Sequence, residues 1–118
     1  MKNFIALFLI LMCSFSFAQK EREVVLNEDT NLIEATYFHD NGVVSQIGTY
    51  TKDGKLHGEW TTFCENGKKL ISATYKNGKK VGKWFYWKGD VLTEVDYDNN
   101  KIANVIEWTN KELIATRN

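Results

Sequence analysis

ATYKNGKKVGKWFYW, residues 73–87, carries the reading that decides the fold. Tyr75 and Trp84 stand on either side of Asn77-Gly78, a dipeptide that tolerates the positive φ angles of a tight two-residue reversal. The flanks are rich in β-branched and aromatic residues, which favour extended backbone on a pleated surface. The stretch therefore reads as strand, turn, strand. The same plan precedes it in GTYTKDGKLHGEW, residues 48–60, and Trp60, Trp84 and Trp108 recur at intervals of 24 residues.

Turn dipeptides recur at roughly half that interval: Asn41-Gly42, Asp53-Gly54, Asn66-Gly67, Asn77-Gly78, Gly89-Asp90 and Asn99-Asn100. Each one reverses the chain, and a type I′ geometry is expected where both central residues accept positive φ. The chain contains no proline, so every strand is free to pair on both sides. One hairpin of this length cannot bury a face by itself, so the units must stack edge to edge. The expected fold is all-β: an antiparallel β-hairpin repeat array, a single-layer meander of about seven or eight strands, open or gently curled.

Turn length predicts register. A two-residue loop at Asn77-Gly78 sets Tyr75 opposite Lys80, Ala73 opposite Gly82 and Ile71 opposite Trp84. A three-residue loop ending at a left-handed Gly54 sets Tyr50 opposite Leu56, Gly48 opposite Gly58 and Gln46 opposite Trp60. Gly58 and Gly82 then lie beside Tyr50 and Tyr75, and ring-over-glycine packing is preferred to a bulge at both. Gly42, Gly54, Gly67 and Gly78 complete the structural set of the repeat. In the last unit Asn104 stands where a glycine is expected, as suits a degenerate terminal repeat.

Before the repeats, Lys2 precedes an apolar run from Phe4 to Met12, and Ser16-Phe17-Ala18 ends it with small residues at the spacing of a signal-peptidase site. An export signal over residues 1–18 is expected, with cleavage after Ala18 and the product in the periplasm or the medium. The run is shorter than the roughly 20 residues that cross a bilayer as helix, so no membrane insertion is expected after cleavage. Cys13 follows Met12 rather than a small residue, which argues against lipidation. A lead-in, residues 19–31, reads as a turn of helix or an extended arm, and the repeat domain occupies 32–118.

Charge balance excludes some functions. The whole chain has 15 basic and 15 acidic side chains. That is not the basic surplus of a nucleic-acid binder, nor the polybasic patch of a membrane-surface protein. His39 and His57 are the only histidines and sit in different hairpins, so turn or surface roles are expected and no metal site. Cys64 lacks a nucleophile signature, and Glu59, Glu65, Glu94 and Asp96 come from separate segments with nothing to single out a catalytic pair. No serine elbow is present. No catalytic residue, no cofactor and no enzymatic activity are expected.

The recurring Tyr, Asn-Gly-Lys-Lys and Gly-x-Trp series between Tyr37 and Glu107 resembles the MORN-repeat-variant family, a bacterial group often labelled YwqK-type antitoxins. The resemblance implies tandem hairpins in one sheet, used for protein contact or structural support, without catalytic residues. An export signal departs from a cytoplasmic antitoxin setting. At Gly89-Asp90 the chain also lacks two residues relative to the preceding unit.

Binding-capable rings concentrate in Trp84, Phe85, Tyr86 and Trp87, where alternation sends Trp84 and Tyr86 to one face and Phe85 and Trp87 to the other. Trp60, Phe63, Trp84, Tyr86 and Trp87 are the candidate contacts for a partner, expected to be another protein and not a nucleic acid. The expected function is an exported protein-binding or structural module. An antitoxin or immunity protein and a carbohydrate-binding envelope protein are the alternatives.

Overall fold

The computed structural model describes residues 21–109. The expected export signal over residues 1–18 and the residues after Thr109 lie outside them. Nine strands form one antiparallel sheet: β1 Arg22–Asn27, β2 Leu32–Phe38, β3 Val44–Tyr50, β4 Leu56–Phe63, β5 Lys69–Lys76, β6 Lys79–Lys80, β7 Gly82–Lys88, β8 Val91–Asp98 and β9 Lys101–Thr109. The order is β1-β2-β3-β4-β5-β7-β8-β9, with β6 paired to β5, and the meander does not close. Of the two readings of the lead-in, the extended one fits Arg22–Asn27, which pairs along its length with β2.

Two kinds of turn make five of the seven reversals between the described strands. At Asn77-Gly78 and Asn99-Asn100 both residues have positive φ (50° and 84°; 47° and 72°), as expected of a type I′ turn. Asn41-Gly42 and Asn66-Gly67 depart from that expectation and adopt the three-residue loop of Asp53-Gly54. In each, only the glycine is left-handed, with φ of 87°, 87° and 88° at Gly42, Gly67 and Gly54. The glycine N–H donates at 2.9 Å to the carbonyl of His39, Cys64 or Thr51. Asn41 and Asn66 stay right-handed because their side chains accept bonds from the N–H of Val43 and Lys68.

Register begins as expected beside the turns, with Tyr75 opposite Lys80 and Tyr50 opposite Leu56. Further along both hairpins it shifts by two residues: Ile71 faces Tyr86, not Trp84, and Gln46 faces Thr62, not Trp60. The cause is a bulge at Gly58 and at Gly82, whose φ values are 84° and 66°. Ring packing over these two glycines is therefore corrected. A Cβ on Gly58 would meet only Thr49 Oγ1, at 3.1 Å, and one on Gly82 only the Thr74 Cβ, at 4.0 Å.

The offset carries each tryptophan to a different small residue. A Cβ on Gly48 would lie 2.1 Å from the Trp60 indole, so that ring covers Gly48. Extending the β5–β7 register sets Trp84 beside Ala73 in the same way. One row thus crosses the sheet as Val24, Ala35, Gly48, Trp60, Ala73, Trp84, Val95 and Val105, alternating small and large through its centre. Ala35, Trp60, Ala73, Trp84 and Val95 are the buried core, packed about by Tyr37, Tyr50, Leu56, Ile71, Tyr75, Tyr86 and Tyr97. Burying each indole is worth roughly 4–6 kcal/mol gross. Trp108 does not continue this row; Val105 holds the equivalent place, and Trp108 pairs with Leu92 on the opposite face.

Candidate functional site

The two sheet faces differ in chemistry, and strand alternation assigns each ring to one of them. On the core face Trp60 meets Tyr50 edge-on at 4.9 Å, and Trp84 meets Tyr75 and Tyr97 edge-on at 5.0 Å each. Each indole N–H donates to a backbone carbonyl two strand positions from the turn: Trp60 to Thr49 O at 2.9 Å, Trp84 to Thr74 O at 3.0 Å. Both rings are 4 % exposed or less, so neither Trp60 nor Trp84 presents a binding surface. Tyr86 is half-buried against Trp84, at 6.1 Å.

Hydroxyls pair above this ring layer. Tyr37 and Tyr50 bond at 2.9 Å, and Tyr86 and Tyr97 at 3.5 Å. Burial, aided by the Tyr37 bond, raises the Tyr50 pKa to about 12; burial and Tyr97 likewise raise that of Tyr86. The Lys80 ammonium lies over the Trp84 and Tyr97 rings at 4.9 and 5.2 Å, where the ring quadrupoles attract it. These groups knit the layer together.

The remaining chemistry-bearing residues serve the turns. His39 Nε2 bonds Phe63 O at 2.9 Å, and Asn41 Nδ2 donates to Glu65 O at 2.9 Å, linking the β2–β3 loop to the β4–β5 loop. At the other end of the strands, Asn77 N donates to His57 Nδ1 at 3.2 Å and Gly78 N to Leu56 O at 2.7 Å. Asn100 N donates to Lys80 O at 2.9 Å, while Lys80 N donates to Asn100 Oδ1 at 2.8 Å. Cys64 Sγ contacts Asn66 Oδ1 within its own loop. Lys83 bonds Asp96 at 3.2 Å and lies 3.7 Å from Glu94; these partners, the Asp96 bond foremost, raise its pKa. Among the described residues no three His, Cys, Asp or Glu side chains gather as a metal site would need.

The family model described as MORN repeat variant matches residues 33–52 and 56–77. Over these two segments the chain is similar to MORN-variant repeats. Each matched segment holds one strand, a three-residue loop and the following strand. The hairpin geometry of the matched residues continues beyond them, because Trp84 repeats the carbonyl bond that Trp60 makes. MORN repeats are modules often used in protein or membrane binding. No curated protein and no solved structure matches the chain.

Opposite the MORN-variant ring layer, the second face divides in two. Toward β2, β3 and β4 it is an open groove of about 300 Å³ lined by Glu34, Thr36, Ile47, Gly48, Thr49, Glu59 and Thr61. Toward β7, β8 and β9 it is apolar. Phe85 and Trp87 stack at 6.0 Å, Trp87 faces Leu92, Leu92 faces Trp108, and Ile106 lies across Glu94 from Phe85. All five apolar side chains are half-buried. Of the expected contacts Trp87 belongs to this patch, while Phe63 ends β4, two strands away from β7 across β5. Leu92, Ile106 and Trp108 were missed. The two-residue loop at Gly89-Asp90, which fixes Lys88 opposite Val91, was the signal that places Leu92 beside Trp87.

Proposed function

We propose that this chain is a non-enzymatic, exported binding module that holds a protein partner on the apolar face of Phe85, Trp87, Leu92, Ile106 and Trp108. The observation that carries the reading is the stacked, half-buried Phe85–Trp87 pair on a face over which no second layer of strands lies among the described residues. Aromatic side chains with low conformational freedom are favoured anchors at protein contacts, and an apolar cluster left open on a sheet is unusual unless it is used. The MORN-variant match supports a binding role, and the apolar leader before Ala18 supports export.

The test uses protein recovered from the producing cell's envelope and medium. Its N-terminus is expected at Gln19; recovery only from the cytoplasm, uncleaved, overturns the export reading. A partner retained by the native protein should be lost from F85S/W87S, with the near-ultraviolet signal of the buried tryptophans unchanged. Equal retention by the variant overturns the assignment of the face.

A further inference from the structure

Apolar side chains left in water collect at the two open edges of the sheet. Val24 (52 % exposed), Val25 and Leu26 lie on β1, and Ile102 (61 %) and Val105 (53 %) on β9; inside the sheet only Ile47 and Leu70 among the described residues are comparable. Among the described residues β1 pairs only with β2 and β9 only with β8, so neither edge has a strand beside it on its outer side. The pairing path has an even number of strands, so β1 and β9 run in opposite directions. A second copy laid alongside in the same orientation therefore presents its β1 antiparallel to β9.

We propose that the chain associates head to tail with copies of itself, β9 of one pairing with β1 of the next and continuing the meander. The register follows from the row that already crosses the sheet. Val24 stands opposite Ala35 at one end and Val105 opposite Val95 at the other, so extending the row sets Val105 against the next Val24. Two residues along, Glu107 then faces Arg22. In the other direction the bulge between Asn104 and Ile102 brings Ile102 opposite Leu26. All three pairs lie on the core face, because Arg22, Val24 and Leu26 are opposite Tyr37, Ala35 and Ile33.

Opposite charges meet and apolar side chains meet apolar ones, the arrangement that stabilises cross-strand neighbours. A shift of two residues would set Glu107 on Val24 and leave Arg22 unmatched. Self-pairing of one edge does worse. β1 against β1 centred on Val24 puts Arg22 on Leu26, and in β9 the bulge turns Lys101 to the opposite face from Glu107. The contact is heterologous, so it extends as an open chain of copies instead of stopping at a symmetric pair.

Sedimentation velocity on the protein as the cell processes it, with its terminal segments attached, decides the matter. The average mass of the native protein is expected to rise with concentration past that of a dimer. V24K and V105K, each an exposed edge position, should remain folded and monomeric when alone. Mixed in equal amounts they should form a one-to-one dimer and nothing larger, since one retains a free β9 and the other a free β1. E107R should be monomeric, and R22E/E107R should recover assembly. A native protein monomeric at every concentration, as a terminal segment seated on either edge would give, overturns the proposal. So does V24K that still self-associates, or a mixture of V24K and V105K that stays monomeric while the native protein assembles.

Discussion

Gly48 is a glycine for want of space. The Trp60 indole lies where its Cβ would be, and no rotamer change of a methyl can relieve a 2.1 Å approach to a ring. Gly48→Ala is expected to lower stability by about 1–3 kcal/mol through overpacking, or to push the indole off its bond to Thr49 O; thermal denaturation and tryptophan fluorescence measure the two. Ala73, under Trp84, already carries a methyl, so the two hairpins fill the same site with different tolerances. Gly58→Ala fails for another reason: a backbone at φ of 84° disfavours any Cβ, and the expected loss is roughly 1–2 kcal/mol with the fluorescence of Trp60 unchanged. The contrast separates a glycine under a ring from a glycine in a bulge, which their sequence contexts do not.

Between elements, the paired tyrosines act as latches. Tyr37 on β2 and Tyr50 on β3 bond only while at least one hydroxyl keeps its proton. The folded Tyr50 pKa, about 12, exceeds its ordinary value near 10, so the folded state holds that proton more tightly than the unfolded chain does. The stabilisation is complete below pH 10 and is lost as pH rises toward 12. Chemical denaturation at stepped alkaline pH should show midpoints falling across that window, and Tyr37→Phe should bring ionisation of Tyr50, read by tyrosinate absorbance, to lower pH. The strands and their turn-proximal register were legible in the sequence because loop length sets them. The two-residue offset was not. It depends on whether Gly58 and Gly82 take positive φ, and a glycine can satisfy either a bulge or a covering ring. Nor could the interval of 24 residues reveal that Trp108 leaves the core row, since the shorter Gly89-Asp90 reversal and the bulge in β9 accumulate before it.

For the whole molecule, alternation along β7 separated Trp84 and Tyr86 from Phe85 and Trp87, but both pairs are rings and either could have packed. The decision lies in other strands: Ala35, Gly48 and Ala73 all fall on one face, and their small size gives the indoles a floor. Read together, those three residues identify the core face and place the other pair on the opposite one. The order β1 to β9, with every strand beside its neighbours in the chain, has a mechanical consequence as well. Tension applied between residues near the two termini draws the sheet apart across its hydrogen bonds rather than along them. Strands should peel away singly at low force, so that optical-tweezer traces show a ladder of small extensions and rapid rejoining on relaxation, where a sheared sheet would give one abrupt rupture.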